Sequence, residues 1–209
     1  MTAMNHDSNK PQRHSIRLRG YDYAQAGAYF ITIVTKDRLC LFDEVVEGAM
    51  RLNELGRMVQ SVWEELPGHY PGVQCDAFVV MPNHIHGIIT LADNEAGGPP
   101  DVGAGLKPAR VAVAVGPNSV RAGFKPAPTL PEVVRAFKTF SARRVNEIRN
   151  TTGFPLWQRN YYEHVVRSED ELHRIREYIA NNPLQWELDR ENPSGISDGT
   201  RRIGEPWEV

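Results

Sequence analysis

The segment at residues 78–91 constrains the fold more than any other part of the chain. Its apolar and β-branched residues predict a β-strand, and within it His84 and His86 flank Ile85. Because strand side chains alternate between the faces of a sheet, both imidazoles project to one face and Ile85 to the other. The pair therefore offers two nitrogen ligands for a metal ion. The alternative is a half-buried strand with two incidental histidines.

A second candidate group lies on a predicted helix at residues 168–182. Ser168 is a suitable N-cap, acidic residues fill the first turn, and Pro183 marks the end. Tyr178 and Asn182 are spaced i and i+4, so both project from one face of this helix. An amide oxygen can complete a metal site begun by two imidazoles, and a tyrosine beside such a site is a candidate nucleophile. The alternative is that Tyr178 packs under the sheet and Asn182 caps the helix.

The remaining elements are predicted from hydrophobic periodicity. We expect strands at residues 29–35, 41–50 and 156–166, and helices at residues 52–66 and 130–149. The order strand, strand, helix, strand, helix, strand, helix indicates an α+β domain. Its antiparallel sheet would carry helices packed on one face.

Length and composition are compatible with one ordinary domain. The chain has 209 residues and a formal net charge of -2, so it is not a uniformly basic nucleic-acid binder. Two cysteines are too few for a disulfide framework and indicate a reduced, cytoplasmic protein. The N-terminus is polar and the apolar runs are only of strand length, so we expect no membrane association.

Composition also divides the chain into regions. We predict a flexible arm at residues 1–14, a single domain at 15–192 and a tail at 193–209. Within the domain, residues 93–128 are rich in Gly, Ala and Pro and predict a mobile insert. A DNA-contacting arm is the alternative for this insert, whose cations are Lys107, Arg110, Arg121 and Lys125.

Several ordered motifs together resemble a known family. They are His84-Ile85-His86, Phe137-Lys138 in a basic helix, the run LWQRNYYEHVVR at residues 156–167, and REYIANNPLQW at residues 176–186. In these features the chain resembles the single-tyrosine, His-hydrophobe-His (HUH) transposases. Within that superfamily it is most similar to the transposases associated with repetitive extragenic palindromes (REP) in bacteria, relatives of the insertion-sequence 200/605 enzymes.

The resemblance implies a ferredoxin-like palm that cleaves and joins single-stranded DNA at hairpin-forming palindromic repeats. Tyr178 would attack the backbone and form a 5′-phosphotyrosine, while Asn182 would complete the metal site of His84 and His86. By ligand hardness the metal is Mg²⁺ or Mn²⁺. The implied protein is a monomer or homodimer associated with the bacterial nucleoid.

The choice of nucleophile has an alternative in the sequence. On a strand, Tyr162 and His164 share a face, so the imidazole could accept the phenol proton. We favour Tyr178 because Asn182 lies one helical turn away and the family pattern places the nucleophile on this helix. His164 remains a candidate fourth ligand or general base.

Cations interleaved with aromatic residues predict the DNA contacts, because Arg and Lys neutralise phosphates and aromatic rings stack on bases. The residues expected to contact DNA are Arg17, Arg19, Lys138, Arg143, Arg144, Arg159, Tyr161, Tyr162, Arg167 and Arg174.

Two rival functions are compatible with the same residues. One is a catalytically silent regulator that binds hairpin DNA, for which Tyr178 would be dispensable. The other is a metal-dependent hydrolase that uses water as the nucleophile and forms no covalent adduct with DNA.

Overall fold

The structure, a computed structural model, describes residues 21–92 and 128–195 and contains six β-strands and three α-helices in those ranges. The elements in chain order are β1 (Gly27–Val34), β2 (Asp43–Val46), β3 (Ala49–Leu52), α1 (Glu54–His69), β4 (Val73–Val80), β5 (His84–Leu91), α2 (Leu130–Arg149), β6 (Tyr162–Val166) and α3 (Glu169–Asn181). Short 3-10 helices occupy Lys36–Arg38 and Asn182–Leu188.

Four of the strands form one antiparallel sheet in the order β4-β5-β1-β6. Strands β2 and β3 form a separate hairpin between β1 and α1. Without that hairpin, the chain order is strand, helix, strand, strand, helix, strand, which is the ferredoxin-like arrangement of two split βαβ units. The predicted α+β class and antiparallel sheet are confirmed.

The central strand β1 shows how the sequence separates two faces of the sheet. Tyr29, Ile31 and Ile33 pack in the larger core, beneath α1 and α2, while Phe30 and Ala28 belong to a second cluster on the other face. This separation follows directly from the period-two alternation of strand side chains.

The position of α3 corrects one detail of the predicted fold. Helices α1 and α2 share a face of the sheet as expected, but α3 lies on the opposite face. Its residues Ile175 and Ile179 cluster there with Phe30 and Ile88. These strand residues project away from α1 and α2, and burying them against a third helix removes apolar surface from water.

Two of the predicted strands are wrong in extent because they contain a turn. The strand predicted at residues 78–91 is a hairpin: β4 ends at Val80, and the Met81 N–H donates to the His84 carbonyl at 2.8 Å. The strand predicted at residues 41–50 is also a hairpin, turning through Glu47 and Gly48 with positive φ angles of 51° and 75°. In both, apolar residues flank the turn on either side and suggest one strand, whereas the turn itself is formed by Glu47-Gly48 in one hairpin and Pro82-Asn83 in the other.

The strand predicted at residues 156–166 begins later than expected. The strand that pairs with β1 is Tyr162–Val166, whereas Leu156 and Trp157 are buried in the core before β6 starts. Ahead of β6, the Gln158 N–H donates to the carbonyl of Val34 at the end of β1 at 2.9 Å. The Trp157 indole N–H donates to Ser141 Oγ at 2.9 Å. A buried indole needs such an acceptor, which accounts for the placement of this residue in the core.

Helix ends follow the capping residues. Helix α2 has the predicted bounds, and Thr129 and Glu132 form a capping box in which the Thr129 N–H donates to Glu132 Oε2 at 2.8 Å. Helix α3 starts after Ser168, whose Oγ accepts from the Glu171 N–H at 3.2 Å. Beyond α3, Pro183 does not end the helical path, because the chain continues as a 3-10 helix.

Some predictions fall on residues outside the described ranges. These are the N-terminal arm at residues 1–14, the start of the domain with Arg17 and Arg19, nearly all of the insert at residues 93–128, and most of the C-terminal tail. Among the described residues, no helix has the length and apolar character needed to span a bilayer.

Candidate metal centre and nucleophile

The two histidines lie on β5, on the face of the sheet that α3 covers. Thr32 of β1 is the register partner of His86, and both imidazoles are buried, with exposures of 0% for His84 and 3% for His86. Ile85, between them, projects into the core beneath α1 and α2. The structure therefore brings the imidazoles to one face, as the alternation predicts.

Hydrogen bonds assign the tautomer of His84. The Asn83 Nδ2 donates to the carbonyls of Arg38 at 3.1 Å and Glu191 at 2.6 Å, so Asn83 Oδ1 is the acceptor that faces His84 Nδ1 at 2.9 Å. His84 Nδ1 must then carry the proton, because an acceptor needs a donor opposite it. The Nε2 atom of His84 is left with its lone pair.

His86 presents the same ring nitrogen towards this lone pair. Its Nε2 lies 3.0 Å from His84 Nε2, and its Nδ1 lies 2.8 Å from Thr32 Oγ1. The Thr32 hydroxyl can donate or accept, so it serves either tautomer of His86. If the Nε2 lone pairs of His84 and His86 both face one cation, the proton of His86 lies on Nδ1 and is donated to Thr32 Oγ1. Hydrogen bonds of this kind orient metal-binding histidines.

Both imidazoles are held neutral. Burial lowers the pKa of His84 to about 3, outweighing the opposite effect of Glu191. Burial also lowers the pKa of His86 well below its ordinary value, with a further contribution from His84. Neutral imidazole is the form that binds a metal ion.

Asp189 is a third member of this group that the sequence did not indicate. Its Oδ2 lies 3.8 Å from His84 Nε2, and the ligand atoms of Asp189, His84 and His86 all lie within 4.8 Å of one another. Burial raises the pKa of Asp189, against the lowering effects of the Glu191 N–H and Arg190. No local pattern connects this aspartate to His84, since the two are 105 residues apart (189 − 84).

Asn182 supplies the observation that best fits a bound cation. Its side chain is 1% exposed, and neither Oδ1 nor Nδ2 has a hydrogen-bond partner of normal geometry among the described residues. It nevertheless lies close enough to Asp189 to lower that residue's pKa. A buried amide without a partner is costly, and a cation would satisfy its oxygen.

The donor set fits a hard divalent cation. Two imidazole nitrogens, a carboxylate and an amide oxygen are ligands that suit Mn²⁺, and the oxygen ligands suit Mg²⁺. Two nitrogens that share one ion at roughly a right angle lie about 3.0 Å apart, as the Nε2 atoms of His84 and His86 do. Asp189 is thus a further candidate ligand beside the predicted set of His84, His86 and Asn182, which stays a prediction.

Tyr178 lies beside the histidine pair. Its ring centroid is 5.3 Å from that of His86 and 6.0 Å from that of Phe30, and the side chain is half-buried. Helix α3 positions the ring here because Ile175 and Ile179, on the same helix, anchor it in the second cluster. The structure brings the phenol and the imidazoles together, and the role of Tyr178 as nucleophile stays a prediction.

Two further aromatic residues surround the centre. Trp186 lies 6.0 Å from His84 between ring centroids, on the 3-10 helix that follows α3. Tyr162 pairs with Thr32 across β6 and β1, and the Arg190 guanidinium lies 5.8 Å from its ring centroid. Tyr162 therefore lies on the same face of the sheet as the histidine pair. Thr32 of β1 stands between Tyr162 of β6 and His86 of β5.

His164 is not part of this group. It lies opposite Phe30 in the sheet, and its Nε2 is 2.8 Å from Glu171 Oε1. The same Glu171 carboxylate accepts from the Arg167 N–H at 2.6 Å. His164 thus ties β6 to the start of α3, and its ligand atoms lie outside the group of His84, His86 and Asp189.

The predicted DNA-contacting cations within the described residues differ in their contacts and in their exposure. Arg144 donates two hydrogen bonds of 2.7 Å to Glu65, and Arg143 pairs with Glu147 at 3.0 Å. Lys138 donates to backbone carbonyls at 2.7 and 2.9 Å. Arg143, Arg159, Arg167 and Arg174 are exposed, whereas Lys138 and Arg144 are partly buried.

Comparison with known proteins identifies relatives. No protein-family model matches the chain. It is 40% identical over 184 residues to an uncharacterized protein of Haemophilus influenzae, an alignment that covers 85% of this chain and 92% of that protein. It is 23% identical over 164 residues to a second H. influenzae protein, named "Putative REP-associated tyrosine transposase", over 78% of this chain and 74% of the relative.

A solved structure is also similar. The REP-associated tyrosine transposase bound to a REP hairpin superimposes with a TM-score of 0.49 and 18% sequence identity, over 81% of this chain and 73% of the other.

Proposed function

The chain belongs to the family of the 40%-identical H. influenzae protein and is a relative of the REP-associated tyrosine transposases. On this basis we propose that it is an enzyme that acts on DNA. It is a metal-dependent, single-stranded DNA endonuclease and strand transferase that acts near hairpin-forming palindromic repeats. The observation that carries the proposal is the Tyr178 ring, 5.3 Å from His86 in a buried group that includes His84 and Asp189.

The residues that would hold the metal are His84, His86, Asp189 and Asn182. Their donors are neutral imidazoles, a carboxylate and the buried amide of Asn182, which lies beside that carboxylate. A bound Mg²⁺ or Mn²⁺ would polarise a phosphate oxygen and neutralise charge that develops on the phosphate. Asn83 and Thr32 hold the two rings in orientation through their Nδ1 atoms.

Tyr178 is the proposed nucleophile in a transesterification. Its phenol oxygen forms a new bond to phosphorus, the bond from phosphorus to the 3′ oxygen breaks, and the released strand ends in a 3′-hydroxyl after taking up a proton. The phenol gives up its proton in the same reaction. One phosphate ester replaces another, so a hydroxyl from a second strand can reverse the step and join strands without ATP.

Single-stranded DNA suits this geometry better than a duplex. The ring of Tyr178 is only half-buried and is held on α3, so the scissile phosphate must approach a fixed phenol. A flexible strand beside a structured stem can adopt the in-line arrangement, whereas a duplex holds its phosphates in helical geometry. This activity requires access to chromosomal DNA in the bacterial cytoplasm.

The test is formation of a covalent adduct. Purified protein is incubated with Mn²⁺ or Mg²⁺ and an end-labelled single-stranded oligonucleotide that forms a REP-like hairpin, and the products are separated on a denaturing gel. We expect a protein-linked strand from the wild type and none from Tyr178→Phe. Tyr162→Phe is the matched control, because Tyr162 lies on the same face of the sheet, and it should retain the adduct.

The rival functions give different results in the same assay. Cleaved DNA without a protein-linked strand would indicate hydrolysis by water. Hairpin binding without cleavage, unchanged in Tyr178→Phe, would indicate a silent regulator. Either result would overturn the proposed mechanism.

A further inference from the structure

A basic groove lies on the face of the sheet opposite the histidine pair. It runs between α2 and the segment that leads into β6, with a volume of about 510 Å³. Its lining includes the cations Arg135, Lys138 and Arg159 and the aromatic ring of Tyr161. Helix α2 packs on the larger core, so this groove is separated from the metal centre by the sheet itself.

Lys138, one of the three cations that line the groove, is held in place by backbone carbonyls. Lys138 Nζ donates to the carbonyl of Gln158 at 2.7 Å and to that of Arg159 at 2.9 Å. Two of the three ammonium hydrogens are thereby used, and one remains for a ligand. The lysine joins α2 to the segment before β6 and presents positive charge between them.

The other two cations are available to a ligand. Arg135 and Arg159 are exposed, and neither lies within salt-bridge distance of a carboxylate in the part of the chain that the structure describes. The acidic residue in the lining, Glu132, is held by the N–H and hydroxyl of Thr129 at 2.8 and 3.0 Å. The groove therefore carries three cations against one engaged carboxylate.

The groove reaches the edge strand β6, which is separated from the histidine strand β5 by β1. This strand pairs only with β1 among the described strands. Tyr161 packs with the core beneath α2, whereas its neighbour Tyr162 packs in the cluster beneath α3. Two consecutive aromatic residues thus project to opposite faces at one edge of the sheet.

We propose that this groove binds the single-stranded DNA flanking the cleavage point, and that the strand crosses the β6 edge to reach Tyr178. The inference rests on the proposed function and adds the path of its substrate. Arg135, Lys138 and Arg159 neutralise successive phosphates, and Tyr161 stacks on a base. A single strand can bend around a sheet edge between two faces, which a duplex of long persistence length cannot do.

The experiment measures DNA binding separately from chemistry. In a Tyr178→Phe background, which cannot form the proposed adduct, fluorescence anisotropy measures affinity for two labelled hairpins. One hairpin carries a single-stranded extension of roughly 12 nucleotides and the other has none. The variants are Arg135→Ala, Arg159→Ala and Tyr161→Leu. The matched control is Arg51→Ala, an exposed arginine of the separate β2-β3 hairpin.

Each groove variant should weaken binding of the extended hairpin by about 3- to 10-fold, with the blunt hairpin unaffected. Each arginine variant should also make the dependence of log affinity on log salt shallower by about 0.7, the value for one phosphate contact on a single strand. Arg51→Ala should change neither quantity.

Two outcomes would overturn the inference. One is equal weakening for both hairpins, which would place the groove on the stem rather than the single strand. The other is unchanged affinity for the extended hairpin in all three folded groove variants, with folding checked by thermal unfolding. Failure of the wild type to form an adduct, by contrast, would overturn the catalytic proposal and leave this binding result standing.

Discussion

The two faces of the central sheet differ in what they bury. Among the described residues, the sheet contributes to a core of twenty buried apolar residues against α1 and α2, whereas the cluster against α3 has seven. The α3 face instead buries polar groups: Thr32, His84, His86, Asn182 and Asp189. Because strand residues alternate, β1 and β5 serve both faces at once: one set of positions supplies stability and the neighbouring set supplies the candidate chemistry.

The largest effect on stability is expected in the larger core. Phe137 is fully buried, with its ring centroid 5.5 Å from that of Trp63 and 5.9 Å from that of Trp157. Phe137→Ala should reduce the free energy of unfolding by about 3–5 kcal/mol in urea denaturation, because it leaves a cavity between two large rings. Phe140→Ala on the same helix is the control: it is 45% exposed and should cost less than about 0.5 kcal/mol. Equal losses would show that burial in the larger core is not the source of the stability.

On the α3 face, the expected effect is on metal binding rather than on folding. Asp189→Asn keeps the shape of the side chain and removes its charge, so Mn²⁺ affinity measured by isothermal titration calorimetry should fall by about 10- to 100-fold. The control is Glu191→Gln, a neighbouring buried carboxylate that pairs with Arg38 at 3.2 Å. If Asp189→Asn binds Mn²⁺ as tightly as the wild type, Asp189 is not a ligand.

The smallest effect concerns the attachment of α3 to the sheet. Arg176 of α3 donates to Asp76 of β4, through Nε to Oδ1 at 3.0 Å and through Nη2 to Oδ2 at 2.5 Å. Burial raises the pKa of Asp76, but hydrogen bonds from Arg176 and the Ala77 N–H outweigh it and hold the pKa below its ordinary value. A carboxyl with a lowered pKa stabilises the fold above its unfolded pKa of about 3.9, and this contribution is lost as the pH falls through the folded value.

Asp76→Asn should therefore be less stable than the wild type by up to about 1 kcal/mol at pH 7, and the difference should shrink below the unfolded pKa and vanish once the pH lies below the folded pKa. Urea denaturation at a series of pH values measures this. In an Arg176→Gln background, the same substitution should have little effect. A difference between wild type and Asp76→Asn that persists at low pH would show that the ion pair is not its source.

Local signals in the sequence predicted the helices better than the strands. Helix α2 has the predicted bounds because Thr129 and Glu132 form a capping box and the apolar residues repeat at helical spacing. The turn at residues 81–83 was missed because Met81 and the flanking valines continue the apolar run, and Asn83 is buried for its bond to His84. Pro82 and Asn83 are turn-forming residues, but the apolar residues before them and the β-branched residues after His84 favoured one continuous strand.

The candidate site was predictable where its residues share an element. His84 and His86 lie on one strand, and Tyr178 and Asn182 lie one turn apart at the end of α3. Asp189 follows a 3-10 helix with no periodic pattern, and its position beside His84 depends on how the segment after α3 folds back. Contacts of this kind depend on tertiary structure rather than local sequence.

The central claim is that the phenol of residue 178 is the group that becomes linked to DNA. The most direct measurement digests the Mn²⁺-dependent adduct with protease and nuclease and locates the residual nucleotide by mass spectrometry. The account predicts a phosphotyrosyl linkage on Tyr178 in the peptide from α3. A linkage on Tyr162 or Tyr161, or cleaved DNA with no modified peptide, would contradict it.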